Sequence, residues 1–164
     1  INLIPKDSFT TAQAISLYAK DQNFDLIIAG RESIDYNGGL VPGMIAEILS
    51  LPFINACIGL DINGDSAKLI REIDGGKEII SSKLPLIIGG QKGLVEESEL
   101  RIPNMRGIMQ SRTKPLNVIE PEDNGLRTES ESFSKPSGKA QCKMIDAGNV
   151  EELVSLLHNE DKII

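Results

Sequence analysis

Tryptophan is absent from this chain, aromatic residues make up 4% of it, and histidine occurs once. A core without large rings must be aliphatic, assembled from Ile, Leu and Val. His158 lies in a polar helix end, a poor position for acid–base catalysis, and no catalytic group is assigned. Two cysteines occur, Cys57 in an apolar stretch and Cys142 far downstream. Their spacing matches no metal-ligand pattern, so both read as idle thiols and no metal site is expected. Basic residues are outnumbered, 17 Lys and Arg against 24 Asp and Glu, for a formal charge of −7. That balance, with a pI near 4.8, excludes nucleic acid as the main partner, because neutralising phosphates needs a basic surface. No apolar run approaches the ~20 residues of a bilayer crossing, so no membrane span is expected.

What remains is an aliphatic α/β pattern. The 164 residues, 40% of them hydrophobic, fit one medium domain and an appendage. Ile1-Asn2-Leu3-Ile4 reads as the middle of a strand, which suggests a piece of a longer protein. Targeting is then not legible, and a cytoplasmic location is expected if the source is bacterial. After a turn at Pro5-Lys6-Asp7, Ser8 is expected to cap a helix with Ala12, Ile15, Tyr18 and Ala19 on one face. Leu26, Ile27, Ile28 and Ala29 form an unbroken apolar run, the pattern of a strand buried on both faces. Gly30 ends it, a polar turn follows, and Pro42 opens a second helix with Met44, Ile45, Ile48 and Leu49, ending near Ser50. Strand, glycine-rich loop and helix start together favour an anion, most often a nucleotide phosphate. The same pattern also fits an ordinary strand-to-helix turn.

From Ile54 onward the texture changes. Asn63-Gly64 and Gly75-Gly76 separate runs rich in Ile and Leu, predicting two hairpins and three antiparallel strands before a buried strand at 84–88. Residues 89–115 form a long irregular segment carrying Leu94, Ile102, Met105 and Met109. Its methionines suit either an adaptable contact surface or the domain's own core. Residues 120–139 have linker composition, followed by a short strand near Lys143-Met144-Ile145 and a helix striped with Val150, Leu153, Val154 and Leu157. The expected fold is therefore α/β: a twisted, mainly parallel sheet with flanking helices, an antiparallel hairpin insertion and a C-terminal arm ending in a helix. One sheet edge is expected to be open. The expected divisions are a nucleotide-binding domain over 1–119, with a docking loop at about 93–109, and the arm over 120–164.

Two motifs give this framework a family resemblance. Arg71-Glu72-Ile73-Asp74-Gly75-Gly76-Lys77-Glu78, followed by Lys83-Leu84-Pro85 and a strand, resembles the signature of the β subunit of electron transfer flavoprotein. Arg101-Ile102-Pro103-Asn104-Met105-Arg106-Gly107-Ile108-Met109 resembles that family's docking loop, and the Gly30–Met44 loop matches in order. The resemblance implies a fold like that of adenine nucleotide α-hydrolases and a heterodimer with an α subunit that holds most of the FAD. The β subunit buries AMP and does no bond chemistry. Electrons would pass from acyl-CoA dehydrogenase-type donors of fatty acid oxidation to a quinone reductase.

Carried onto this chain, the cofactor-binding positions are Ser33, Asp35, Gly38, Gly39, Leu40 and Val41. Docking falls to Ile102, Met105, Arg106 and Ile108, with Met105 as the inserted side chain, and Glu72 would meet the mobile flavin domain. Leu40-Val41 stands where the family usually has Gln-Thr or Gln-Val, so AMP would rest on backbone N–H groups and bind weakly. Two other readings stay open: a bifurcating flavoprotein whose β subunit holds FAD and accepts hydride from NADH, and a generic adenine-nucleotide α/β domain.

Overall fold

The computed structural model describes residues 7–34, 36–122, 125–139, 141–160 and 162–163. The chain divides into two compact units, Ile1–Glu129 and Ser130–Ile164.

The first unit is the α/β fold expected from the pattern. Its elements run α1 (Ser8–Lys20), β1 (Leu26–Gly30), α2 (Val41–Leu49), β2 (Phe53–Asn63), β3 (Ser66–Ile73), β4 (Gly76–Lys83), β5 (Leu86–Gly90) and α3 (Met105–Ser111). The five strands form one sheet in the order β1-β5-β2-β3-β4. Pairing is parallel between β1 and β5 and between β5 and β2, then antiparallel from β2 through β4. β2 therefore serves two kinds of sheet. Its first residues align with Ile87 and Ile88, and beyond a bulge it pairs with β3. Ala56, at φ 53°, sits in that bulge, where the extra residue re-aims the strand.

Each face of the sheet has its own core. On one side Ala12 of α1 and Ile45 and Ala46 of α2 close over Ile87. On the other, Ile54, Cys57, Leu86 and Ile88 pack with Ala67 and Leu69. Ala67 and Leu69 of β3 thus share the cluster that covers Leu86 and Ile88 of β5. Burying an aliphatic side chain such as Ile87 or Leu69 contributes about 1.5–3 kcal/mol.

β5 is the strand buried on both faces, whereas β1 is not. Among the described residues β1 pairs only with β5, and Ile28 is 59% exposed. An apolar run alone does not reveal which strand lies inside the sheet. The helix cap also differs from expectation. Asp7, not Ser8, is the N-cap of α1, and its carboxylate accepts from Thr10 N at 2.7 Å. A carboxylate beside the cap is a stronger acceptor than the hydroxyl one residue later, and it suits the positive helix end. The hairpin turns fall at Gly64-Asp65 and Asp74-Gly75, and Gly64 and Gly75 both have positive φ, which glycine adopts without steric cost. The strand expected in residues 1–4 lies outside the described residues.

In the second unit, α4 (Val150–Asn159) is the single described helix. Asn149 caps it, accepting from Glu152 N, and Lys143 forms an ion pair with Glu152 at 3.4 Å. The strand expected at Lys143–Ile145 is absent: these residues are irregular and have no pairing strand among the described residues. A short apolar stretch without a neighbouring edge has nothing to satisfy its backbone groups as a strand. No described helix is long and apolar enough to cross a membrane.

Candidate functional site

The loop between β1 and α2 leaves the carboxyl end of the sheet. Arg31 N donates to Gly90 O at 3.0 Å, extending the parallel pairing by one residue, and Asn37 N donates to Ser33 O at 2.8 Å. Asn37 and Gly39 both have positive φ, 48° and 60°. A Cβ on Gly38 would stand 3.8 Å from Ser8 Oγ, so the loop lies against the first turn of α1. Leu40 caps α2 without a side-chain hydrogen bond, and Pro42 occupies the first turn. Among the described residues nothing accepts from the N–H groups of Gly38, Gly39, Leu40 or Val41. A helix start with free donors and no acidic residue in its first turn is electrostatically suited to an anion. Ser33, Gly38, Gly39, Leu40 and Val41 thus share one loop and helix start, whereas Asp35 lies outside the described residues.

Within the sheet is a polar group that pattern reading missed. Asn55, on β2, turns its Oδ1 into a buried position where it has no hydrogen-bond partner among the described residues. Gly89 of β5 is its neighbour, and a Cβ there would lie 2.4 Å from that oxygen. The glycine makes room for the amide. No sequence signal marks Asn55, because its significance comes from the alignment of β2 on β5.

Glu72, on β3, is tied to the same end of the sheet. Its Oε2 accepts from Gln91 Nε2, and Gln91 Oε1 accepts from Arg31 Nη1 at 2.9 Å. Arg31 is also 3.8 Å from Glu32 Oε1. Sequence reading missed Arg31 and Gln91; they meet Glu72 only through the fold.

The segment after β5 is less irregular than expected. Asn104 Oδ1 accepts from Gly107 N at 2.8 Å and starts α3. Asn104 followed by a helix-compatible run was a readable cap signal. No residue of α3 is buried. Ile102 is 85% exposed, Met105 74%, and Arg106, Ile108 and Met109 also lie at the surface. Of the segment's bulky apolar residues, Leu94 turns inward to pack on the core. The methionines therefore do not fill the domain's own core. Burial pushes the Cys57 thiol upward in pKa, countered in part by its contact with Gly59 O, so it stays a protonated core residue.

The electron transfer flavoprotein domain model matches residues 3–124. The electron transfer flavoprotein subunit beta of Bacillus subtilis is 37% identical over 96% of this chain and 64% of its own length. Its counterpart in Syntrophomonas wolfei is 34% identical over 82% of the chain and 52% of its own length. The human subunit is 31% identical over 70% and 44%. The chain thus spans between about two fifths and two thirds of the length of these relatives. With this coverage and the signature motifs seated on β3, β4 and α3, the chain belongs to the electron transfer flavoprotein family, among its β subunits.

Proposed function

We propose that this chain serves as the scaffold, nucleotide-holding and docking subunit of a heterodimeric electron carrier. An α subunit would hold most of the FAD, and this chain performs no bond chemistry of its own. Electrons would enter from acyl-CoA dehydrogenase-type donors and leave to a quinone reductase.

The observation that carries this reading is the exposure of Ile102, just before α3, and of Met105 and Ile108 with Arg106 on α3, a helix with no buried residue. One flexible apolar side chain with a charged rim is the usual form of a docking anchor. The striped helix α4 supports the α-subunit contact, since Val150, Leu153 and Val154 are exposed and none of its residues is buried. The Ser33–Val41 loop would hold AMP on backbone donors.

The test is Met105→Ala in the full heterodimer. Electron transfer from a dehydrogenase donor is expected to weaken by about 2 kcal/mol in transition-state terms, with FAD content unchanged. Unaltered kinetics would remove Met105 from the anchor role. Mass spectrometry of nucleotide released from the heterodimer distinguishes the cofactor assignments. AMP supports this reading, FAD bound to this subunit supports the bifurcating one, and ATP supports a generic nucleotide domain.

A further inference from the structure

We propose that Gln91 is a positioning residue for electron transfer: its side chain holds the Glu72 carboxylate against Arg31 and so presents it to the flavin-bearing domain. The inference rests on the docking reading of Glu72 given by the family resemblance, and goes beyond it by assigning what holds that carboxylate in place.

The bridge can form in one orientation only. Arg31 offers donors and no acceptor, whereas the ionised Glu72 offers acceptors and no donor. A residue between them must accept on one side and donate on the other. The Gln91 carboxamide does both, accepting from Arg31 Nη1 at 2.9 Å and donating to Glu72 Oε2. Its amide orientation is dictated by its neighbours.

The three residues come from separate elements whose backbones are already fixed. Arg31 follows β1 and donates its N–H to Gly90 O at 3.0 Å; Gln91 follows β5 and donates its N–H to Cys57 O at 2.9 Å. Glu72 stands in β3, opposite Lys77 on β4. The adjacent cation, Arg71, pairs with Glu78 at 2.5 Å. Glu72 is exposed, and an unrestrained glutamate there would sample many rotamers. With Oε2 engaged, it is held in place while Oε1 has no partner among the described residues. That oxygen is available to a cationic group on the flavin-bearing domain.

The charged groups around Gln91 are Arg31 with its partner Glu32, Glu72, Lys77 across the hairpin and the adjacent Lys92. In this setting Gln91→Glu brings a second carboxylate against Glu72. Like charges at contact favour uptake of a proton. A protonated carboxyl then donates and accepts as the carboxamide did. Bridging should therefore be lost at high pH and return at low pH.

The experiment compares Glu72→Gln, Gln91→Met and Gln91→Glu in the full heterodimer. It reads the rate of electron transfer from a dehydrogenase partner or to a quinone-reductase partner, as a ratio to wild type, alongside FAD content. Glu72→Gln is expected to slow transfer by about tenfold and Gln91→Met by about three- to fivefold, both with full FAD. Gln91→Glu should be slowed by about tenfold at pH 8 and recover only as the pH falls towards about 5, into the carboxylate range, a profile that a purely structural defect would not give. Glu72→Gln at wild-type rate overturns both the Glu72 reading and this inference. A slow Glu72→Gln beside a wild-type Gln91→Met, or a Gln91→Glu defect that is flat with pH, overturns the role of Gln91 and leaves the Glu72 reading standing. Should Gln91→Met lose flavin, the pH profile of Gln91→Glu decides.

Discussion

The Asp7 carboxylate accepts from the backbone N–H of Arg127 at 2.8 Å, across 120 positions of sequence. The same oxygen accepts from Thr128 N at 3.1 Å, while the other oxygen binds Thr10 through both its hydroxyl and its N–H. The Arg127 guanidinium also lies 5.0 Å from the centre of the Phe9 ring. One side chain thus caps α1 and holds the segment at the end of the first compact unit.

Asp7→Ala should release that segment. Loss of an N-cap costs about 1 kcal/mol, and amide exchange at Arg127 and Thr128 should accelerate. Bonding to the Thr10 side chain, then to the Thr10, Arg127 and Thr128 N–H groups, holds the Asp7 carboxyl well below the usual carboxylate range. A folded-state pKa below the unfolded one adds stability that is present above the unfolded value and fades as pH falls towards the folded one. Wild type and variant should therefore differ at pH 7, and the difference should begin to narrow as the pH drops below about 4. A gap in unfolding midpoint as large at pH 2 as at pH 7 would contradict this account.

Gly89→Ala should destabilise the first unit by about 1–3 kcal/mol, because the new methyl meets Asn55 Oδ1 well inside contact distance. Adding Asn55→Ala removes the obstacle and should recover part of that loss. A double-mutant cycle by urea unfolding checks it, and strict additivity would show that the two side chains do not compete for space.

Leu40→Gln places a polar side chain at the start of α2, where the cap has no side-chain hydrogen bond. One added hydrogen bond of about 1 kcal/mol corresponds to roughly fivefold tighter AMP binding in the heterodimer. Calorimetric titration is the measurement. An unchanged affinity would mean that position 40 does not face the nucleotide.

Leu153→Ser on α4 should weaken association with the α subunit by at least about tenfold, while helix content in circular dichroism stays constant. Leu153 is already exposed, so the substitution exposes no new core. Unaltered heterodimer assembly would place the α-subunit contact elsewhere.

Local chemistry was legible and long-range placement was not. Gly64 and Gly75 announced their hairpins because turn geometry is decided within a few residues. Leu26–Ala29 and Leu86–Ile88 look alike as apolar runs, yet only the second is sealed on both faces. The difference comes from β5 lying between β1 and β2, a non-local fact. At α1 the expected cap was Ser8, whereas Asp7, read as part of the preceding turn, is the one that caps the helix. In the candidate site the residues of the loop before α2 were adjacent in sequence and could be grouped from it. Arg31, Glu72 and Gln91 could not, since separations of 60 and 19 residues carry no periodic signal.

The divided allegiance of β2 also implies an order of assembly. Its second half joins β3 and β4 through two-residue turns, contacts that a chain finds in about microseconds. Its first half must wait for β5, and β1 for the same strand, across the whole length of the hairpins. Contacts that close longer loops form more slowly. The meander from 57 to 83 would then be the nucleus, and the Ser33–Val41 loop would acquire its shape last. During synthesis, β1 and α2 would leave the ribosome well before the strand they need, so the loop between them stays open until β5 emerges.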